Sequence, residues 1–243
     1  MPRLVKRFVE PPRPCSYLPD RSASLDHRLM LQVSPADLEE LLVRGWRRFG
    51  PAYFRAACAA CSECVSLRIP VEGFTPRASQ LRAARRCRRF RISLGVPEVD
   101  DERLALYRAW HAGREAARDW PPSELDRETY GLQFCFPHPA GRELTFRDGD
   151  ELVAVGLCDV TPHALSLIYF FYHPDIAHLS PGVANVVTSV EKARELGLSH
   201  VYLGYRVLGC PSMRYKAGFG PHELLEGRPG PDEAPRWVPA QRL

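Results

Sequence analysis

The sequence predicts a mixed α/β protein, and three observations in its second half support this fold class. Segments 151–160 and 164–171 have the apolar composition of paired strands, joined by the turn at 161–163. Residues 183–196 follow with helical spacing, and 200–204 form a further strand. Strand, strand, helix and strand within about 55 residues is typical of a mixed α/β core.

The charge distribution indicates two domains, 1–100 and 101–243. The first contains 18 Lys and Arg against 10 Asp and Glu, whereas the second contains 15 against 19. A basic half beside a mildly acidic half suggests that a polyanion binds the first part. The alternative is that the many arginines follow from nucleotide composition.

Local signals place elements in the rest of the chain. Residues 1–33 are Pro-rich and predicted to be irregular, and the tail after Leu225 is predicted to be loose. Ser34 is a helix cap followed by Pro at the first helical position, and this helix should end near Gly45. A strand is expected at 65–71, and further helices are expected after a Ser79 cap and at 103–119.

The helix expected after Ser79 is strongly basic. Residues 77–91 contain seven arginines and no acid. On this helix arginines recur three and four positions apart, and we expect Arg85, Arg86, Arg88 and Arg89 to contact an RNA backbone. We expect the same of Arg47 and Arg48, which lie between the aromatics of the earlier Gly-Trp-Arg-Arg-Phe-Gly run. A basic helix can also be a solvated face.

Three cysteines at Cys-x-x-Cys-x-x-Cys spacing suggest a metal site. Cys58, Cys61 and Cys64 are positioned to converge on zinc or an iron–sulfur cluster, and four ligands are usual. Cys15 is the natural fourth ligand, with Cys87 as the runner-up. The alternative is a reduced, metal-free turn whose thiols simply pack.

We expect a soluble, cytoplasmic monomer that does not contact a membrane. No apolar run approaches the ~20 residues of a membrane span. The first ten residues are charged and lack the apolar core of a signal peptide.

A cluster of tyrosines with a rare lysine follows the last predicted strand. Tyr202, Tyr205 and Tyr215 lie near Lys216, one of three lysines in the chain. In α/β folds the ends of strands carry the sites, so this cluster is a candidate active site. The alternative is a set of packed aromatics around a turn.

Seven motifs occur in an order that resembles the arginyl-tRNA–protein transferase family, including its bacterial aspartate/glutamate leucyltransferases. They are Cys15-Ser16-Tyr17-Leu18-Pro19, Gly45-Trp46-Arg47-Arg48-Phe49-Gly50, the cysteine triplet ending in Leu67-Arg68-Ile69-Pro70-Val71, Ser79-Gln80, Tyr169-Phe170-Phe171-Tyr172-His173-Pro174, Tyr202-Leu203-Gly204-Tyr205 and Met213-Arg214-Tyr215-Lys216. The resemblance covers about residues 14 to 227, nearly the whole chain.

The resemblance implies an N-terminal cysteine-bearing domain and a C-terminal domain with a GCN5-acetyltransferase-like fold. It implies transfer of an amino acid from aminoacyl-tRNA to the N-terminal α-amine of proteins with acidic N-termini, which marks them for degradation. No cofactor is required for this transfer. Relatives of the eukaryotic enzyme bind an iron–sulfur cluster, for which Cys15 matches the first ligand, while Leu18 stands at the second.

Roles follow from the chemistry of the transfer. The tRNA ester is already activated, so the protein must align amine and ester and stabilise an oxyanion. Lys216 is expected to neutralise the oxyanion or hold the terminal phosphate, and Tyr205, Tyr215 or Tyr172 to relay protons. The residues expected to bind substrate are Arg68 and Arg206, as partners of an acidic acceptor, with Tyr202, Gly204 and Ser180.

The donor amino acid is less clear from sequence. Arginine requires an acidic pocket and leucine an apolar one, with Asp159, Asp175 and Glu223 as candidate acids. The Gly-Trp-Arg-Arg run slightly favours arginine, and the Cys-Ser-Tyr-Leu-Pro run favours leucine; arginine is preferred by a small margin. The alternatives in other classes are a metal-stabilised RNA-binding module and an acetyl-CoA-dependent N-acetyltransferase.

Overall fold

The computed structural model describes residues 2–118 and 125–240 as a mixed α/β protein. Fourteen strands are described: β1 Arg3–Val9, β2 Arg13–Pro14, β3 Ser22–Ala23, β4 Leu25–Leu31, β5 Arg47–Phe49, β6 Ala52–Ala56, β7 Val65–Pro70, β8 Arg91–Gly95, β9 Gly141–Asp148, β10 Glu151–Val160, β11 Ala164–Tyr172, β12 His200–Arg206, β13 Glu223–Leu225 and β14 Trp237–Pro239.

Six α-helices and two short 3₁₀ helices accompany the strands. The α-helices are α1 Pro35–Leu42, α2 Ala78–Cys87, α3 Asp101–Arg118, α4 Arg127–Phe134, α5 Pro181–Glu195 and α6 Pro211–Arg214. The 3₁₀ helices are Pro174–Leu179 and Tyr215–Gly218.

The predicted start of α1 is confirmed. The Ser34 hydroxyl accepts a hydrogen bond from the backbone N–H of Asp37 at 3.1 Å, and the Asp37 carboxylate accepts one from the N–H of Ser34. This capping box satisfies two of the N–H groups that a helix start leaves free. The prediction that Ser79 caps α2 is wrong, because Ser79 lies inside the first turn and the N-cap residue is Arg77. The Gln80 side chain accepts a hydrogen bond from the backbone N–H of Arg77 at 2.8 Å.

The first 33 residues are not irregular. Strands β1 and β4 pair antiparallel and join β6 and β5 in a four-stranded sheet, in the order β1-β4-β6-β5. The β-prone run Leu4 to Val9 outweighs the prolines because the prolines cluster after it, at 11–14 and 19. The tail is not wholly loose either, since β14 pairs with β13.

The larger sheet has eight strands in the order β14-β13-β7-β12-β11-β10-β9-β8. Strands β10 and β11 form the predicted antiparallel pair, and β11 runs parallel to β12 after the crossover through α5. Helix α5 buries Val186, Val187 and Val190 against the sheet, and Gly197, at φ 70°, follows its end as predicted.

The predicted boundary near residue 100 does not separate two sheets. Strand β7, from the first 100 residues, lies between β12 and β13, and β8 forms the opposite edge of the same sheet. The segments before β7 build the small sheet, so the chain contributes to the large sheet from both of its predicted domains. Hydrophobic alternation predicts a strand but not its neighbours, and the division into two domains near residue 100 stays a prediction.

Candidate functional site

A cavity of about 610 Å³ is lined by residues from both sheets and from α3, α5 and α6; we call it the reaction cavity. Its apolar lining includes Phe49, Phe54, Leu167, Val186 and Leu203. The volume lies in the range of small-molecule sites, about 300–1,000 Å³. Predicted residues from the Gly-Trp-Arg-Arg run and from the tyrosine–lysine cluster meet here.

One wall of the reaction cavity holds a buried ion pair between Arg48 and Asp159. Arg48 Nε donates to Asp159 Oδ2 at 2.9 Å, a second guanidinium N–H donates to Oδ1, and Nη1 donates to the carbonyl of Gly50 at 3.2 Å. Asp159 is 1% exposed and Arg48 is 6% exposed. Arg48 is therefore paired with Asp159 inside the protein, and its contact with a tRNA phosphate stays a prediction.

Arg47, the neighbour of Arg48, also lines the reaction cavity but has a different environment. Its Nη1 donates to Ser166 Oγ at 3.2 Å, and its guanidinium carbon lies 5.4 Å from the centre of the Tyr202 ring. Within the described chain, Nε and Nη2 are buried and have no hydrogen-bond partner. Burial lowers the pKa of Arg47. Arg47 is 7% exposed, and its contact with a tRNA phosphate stays a prediction.

Lys216 is the second cation of the reaction cavity. Its Nζ donates to the backbone carbonyl of Tyr205 at 3.1 Å. Burial, with a smaller contribution from the positive charge of Arg47, lowers the pKa of Lys216 to about 7. Gly204, at φ 81°, lies next to it, and a Cβ there would be 3.5 Å from Nζ. A lysine with this pKa is a base at neutral pH for a substantial part of the time.

The three tyrosines predicted to relay protons line the same cavity but differ in freedom. The Tyr205 hydroxyl donates to the carbonyl of Gly45 at 3.1 Å, and burial raises the pKa of Tyr205. The Tyr172 hydroxyl accepts a hydrogen bond from Arg114 at 3.2 Å. Tyr215 is 46% exposed. Tyr205 is thus anchored to the backbone, whereas Tyr172 and Tyr215 remain accessible from the cavity.

Most of the predicted substrate-binding residues lie elsewhere. Of the five, Gly204 lines the reaction cavity, whereas Arg68, Arg206, Tyr202 and Ser180 do not. Arg68 is paired with Glu223 at 2.7 Å and donates to the hydroxyl of Tyr202 at 3.4 Å. The charge of Arg68 is already balanced by Glu223, and its role toward an acidic acceptor stays a prediction.

The remaining two also have structural settings outside the cavity. Ser180 has φ 61° and joins a 3₁₀ helix to α5, which is a turn position. Arg206 ends strand β12, and burial lowers its pKa. Neither residue lines the reaction cavity, and the substrate-binding role of each stays a prediction.

The four cysteines predicted as ligands are brought together. Cys15, Cys58, Cys61 and Cys64 line a second cavity of about 100 Å³, the cysteine cavity, which shares walls with the reaction cavity. Cys87 is buried in a separate core cluster.

The thiols in the cysteine cavity do not fit a metal as they stand. Cys58 Sγ donates to the carbonyl of Ser24 at 3.7 Å, and burial raises the pKa of Cys64 to about 12. A bound metal would itself deprotonate its thiol ligands, so this pKa describes the metal-free protein. Among residues 2–118 and 125–240, no three His, Cys, Asp or Glu side chains are grouped so as to hold a metal ion.

Helix α2 presents its arginines to solvent. Arg85, Arg86 and Arg88 are exposed and, in the part of the chain that is described, none has a carboxylate within 4.0 Å. Arg89 is exposed and pairs with Asp148. The opposite face of α2 packs through Ala83 and Cys87. This surface retains the charge that was predicted to attract a polyanion.

Among the polar residues of the reaction cavity that were not identified from sequence are Arg114, Ser166 and Asn185. Asn185 is 3% exposed and its Oδ1 has no hydrogen-bond partner within the described residues. A polar residue inside the apolar run Val183 to Val190 was a usable signal for it. Ser166 and Arg114 gave no such signal, because each stands among ordinary neighbours.

No helix in the described parts of the chain is long and apolar enough to span a membrane.

Comparison with known proteins gives a consistent result over both halves of the chain. Residues 13–82 match the family model "Arginine-tRNA-protein transferase, N terminus", and residues 102–226 match "Arginine-tRNA-protein transferase, C terminus". An aspartate/glutamate leucyltransferase of Campylobacter jejuni (strain 81-176) is 34% identical, over 88% of this chain and 90% of that protein. One of Halorhodospira halophila is 37% identical, over 88% of this chain and 91% of that protein.

Among solved structures, the C-terminal domain of a putative lysylphosphatidylglycerol synthetase from Agrobacterium fabrum aligns with 70% of this chain and 51% of its own. The TM-score is 0.44 and the sequence identity is 15%. A likeness of this size supports no conclusion about the activity.

Proposed function

Because the chain belongs to the arginine-tRNA-protein transferase family, we propose that it transfers leucine from charged tRNA to the N-terminal amine of proteins that begin with Asp or Glu. The chain is an enzyme that moves an amino acid from aminoacyl-tRNA to a protein N-terminus, as the family does. The names of the relatives support leucine as donor and acidic residues as acceptors.

One observation carries the choice of donor: the reaction cavity offers no free carboxylate. Asp159 is the one acidic residue among the described residues that line it, and it is paired with Arg48. Of the other two candidate acids, Glu223 is paired with Arg68 and Asp175 is 86% exposed on its side chain. A buried guanidinium without a partner is costly, so an arginine side chain is disfavoured and an apolar one is accepted.

The acceptor amine attacks the carbonyl carbon of the ester and forms the new C–N bond; the bond from that carbon to the ribose oxygen breaks when the tetrahedral intermediate collapses. The amine enters as an ammonium group with a pKa of roughly 7.7–8.0. Lys216 is placed to take its first proton, because it lines the cavity and has a pKa of about 7. In the tetrahedral intermediate the nitrogen loses a second proton, and the ribose oxygen gains one. The balance is one proton released to solvent.

Accessible hydroxyls support the delivery of a proton to the leaving ribose oxygen. Tyr172 and Tyr215 both line the reaction cavity. Arg114 donates to the Tyr172 hydroxyl, which leaves the Tyr172 proton directed elsewhere. We assign the relay to Tyr172 and place Tyr215 at the mouth of the cavity, where its exposure is consistent with a substrate contact.

The exposed arginines of α2 support the binding of the tRNA backbone. Arg85, Arg86 and Arg88 lack nearby carboxylates, so their charge is available to phosphates. Such binding is salt-sensitive and largely independent of sequence.

In this proposal the large sheet with α5 corresponds to a GCN5-acetyltransferase-like domain that uses aminoacyl-tRNA rather than acetyl-CoA. Helix α5 begins at Pro181, which has no N–H, and Ser180 makes no side-chain cap. The start of this helix is therefore poorly supplied with the donors that a pyrophosphate requires. The modified N-terminus would mark the acceptor for degradation in the cytoplasm.

The test is transfer of labelled leucine, and separately arginine, from charged tRNA to peptides that begin with Asp, Glu or Ala. We expect label from leucine on the Asp and Glu peptides alone. Transfer from arginine alone would overturn the donor assignment. Absence of transfer from both, with tRNA bound, would favour the RNA-binding module.

A further inference from the structure

The reaction cavity contains a cation whose charge no neighbour neutralises, next to one whose charge is neutralised. We propose that Arg47, with Ser166 beside it, forms a carboxylate subsite that binds the acidic side chain of the acceptor's first residue. This inference rests on the proposed function, since it names the group that selects the acceptor.

The hydrogen bonding of Arg47 is incomplete. A guanidinium has five N–H donors, and here Nη1 donates to Ser166 Oγ while Nε and Nη2 have no acceptor among the described residues. The residue is 7% exposed and these two nitrogens are buried, so a carboxylate reaches them only after a small movement of the cavity wall. Buried donors without acceptors are destabilising, and more so when they are charged. A carboxylate that enters the cavity supplies two acceptors in the geometry that a guanidinium prefers.

Three neighbouring cations do not compete for this role, while a fourth, Arg114, also lines the cavity and donates to the Tyr172 hydroxyl. Arg48 already binds both oxygens of Asp159, and Arg68 binds Glu223. Lys216 is charged for only part of the time near neutral pH, because its pKa is about 7. Compared with Arg48, Arg68 and Lys216, Arg47 alone combines a permanent charge, a position on the cavity and unused donors.

The pairing of Arg48 with Asp159 has a second effect on Arg47. Without Arg48, the Asp159 carboxylate would be free to pair with Arg47, whose charge already acts on it. Arg48 holds both oxygens of that carboxylate and so leaves Arg47 unpaired. The two adjacent arginines therefore have different partners. Arg48 neutralises Asp159, and Arg47 is left to bind the carboxylate of the substrate.

The experiment compares peptides that begin with Asp and with Asn, which have nearly the same shape and differ in charge. Transfer of leucine is measured for the unmodified protein, for Arg47→Met and for the control Arg44→Met. Arg44 lies three residues before Arg47 in the chain and pairs with Glu40. In Arg47→Met we expect kcat/KM for the Asp peptide to fall about 100-fold, with the Asn peptide changed less than about threefold. The KM for leucyl-tRNA and the values for Arg44→Met should remain unchanged.

The outcomes separate this inference from the proposed function. If the unmodified protein transfers no leucine to any peptide, the proposed function fails. If it does, but Arg47→Met keeps the ratio between the Asp and Asn peptides, the subsite is overturned.

If Arg47→Met is inactive on both peptides, the ratio is measured in Arg47→Lys and Arg47→Gln, with folding checked by thermal unfolding. Preference for Asp that persists in Lys and vanishes in Gln supports the subsite. Equal ratios in the two variants overturn it.

Discussion

The reaction cavity and the cysteine cavity are adjacent and share Tyr17, Phe54 and Tyr205 as lining residues. They differ in the charged and hydrogen-bonding groups that the protein leaves without a partner. The reaction cavity contains Arg47 with unused donors and Lys216 with a lowered pKa. The cysteine cavity contains thiols whose burial favours the neutral form, as Cys64 shows. Proximity of reactive side chains is therefore a weaker sign of a site than charge that the protein does not itself balance.

The strongest test of this contrast is to remove the lysine from the reaction cavity. Replacing Lys216 by Ala or by Arg should lower the rate of leucine transfer by about 10²–10⁴-fold, because neither variant has a base at that position. The rate is measured under single-turnover conditions with saturating leucyl-tRNA. Lys192→Ala, on the exposed side of α5 and paired with Glu195, is the matched control. Near-normal turnover in Lys216→Arg would remove the base role and favour a purely electrostatic one.

The next effect concerns the charge balance on the cavity wall. Asp159→Asn should lower the free energy of unfolding by about 3–5 kcal/mol, because it leaves Arg48 buried without its counter-ion. Urea unfolding followed by circular dichroism measures this. The double variant Arg48→Met with Asp159→Leu should recover much of the loss. A single-variant loss below about 1 kcal/mol would show that solvent reaches the pair.

The dependence of transfer on pH gives a smaller, graded effect. The pKa of Lys216 is lowered to about 7, so the protonated, inactive form dominates below pH 7 and the neutral base dominates above it. The rate should rise about tenfold per pH unit below 7 and level off above it. In Lys216→Ala the amine must lose its proton to solvent, so the limb near 7 should be lost and the rate should rise up to about pH 8. A profile that is the same in both proteins would contradict the role of Lys216.

The smallest effect is expected at the cysteine cavity. Cys61→Ser and prolonged incubation with a strong metal chelator should each change the transfer rate and the midpoint of thermal unfolding little, because the described thiols do not form a metal site. Metal content is measured in parallel by elemental analysis. Stoichiometric zinc or iron, with activity lost on chelation, would contradict this expectation and show that transfer depends on both cavities.

Much of the large sheet was predictable from sequence, and the predicted ends of its strands and helices lie close to the observed ones. Strands β10, β11 and β12 and helices α1, α3 and α5 follow from periodicity, caps and breakers, which act locally. The pairing of β7 with β12 and β13 was not predictable, because an apolar run does not specify its partners. The convergence of both halves on one cavity depends on this pairing.

The site was predicted in its chemistry but only partly in its membership. Lys216 and three tyrosines stood out because lysine is rare and the cluster follows a strand. Arg47 was identified for a different partner, since sequence cannot distinguish an exposed arginine from a buried one. Which of two adjacent arginines is neutralised depends on Asp159, more than a hundred residues away, and no local pattern reports such a contact.

The position of β7 also bears on how the chain is made. The strand is synthesised early, yet its partners β12 and β13 emerge about 135 and 155 residues later, and such distant pairing slows folding. Until then, its apolar residues Leu67 and Ile69, fully buried in the finished protein, remain without cover on the ribosome. The two matched halves are therefore not interchangeable modules: a gene split near residue 100 would yield fragments that each lack an interior part of the same sheet. Activity from such a pair would require the fragments to assemble with each other.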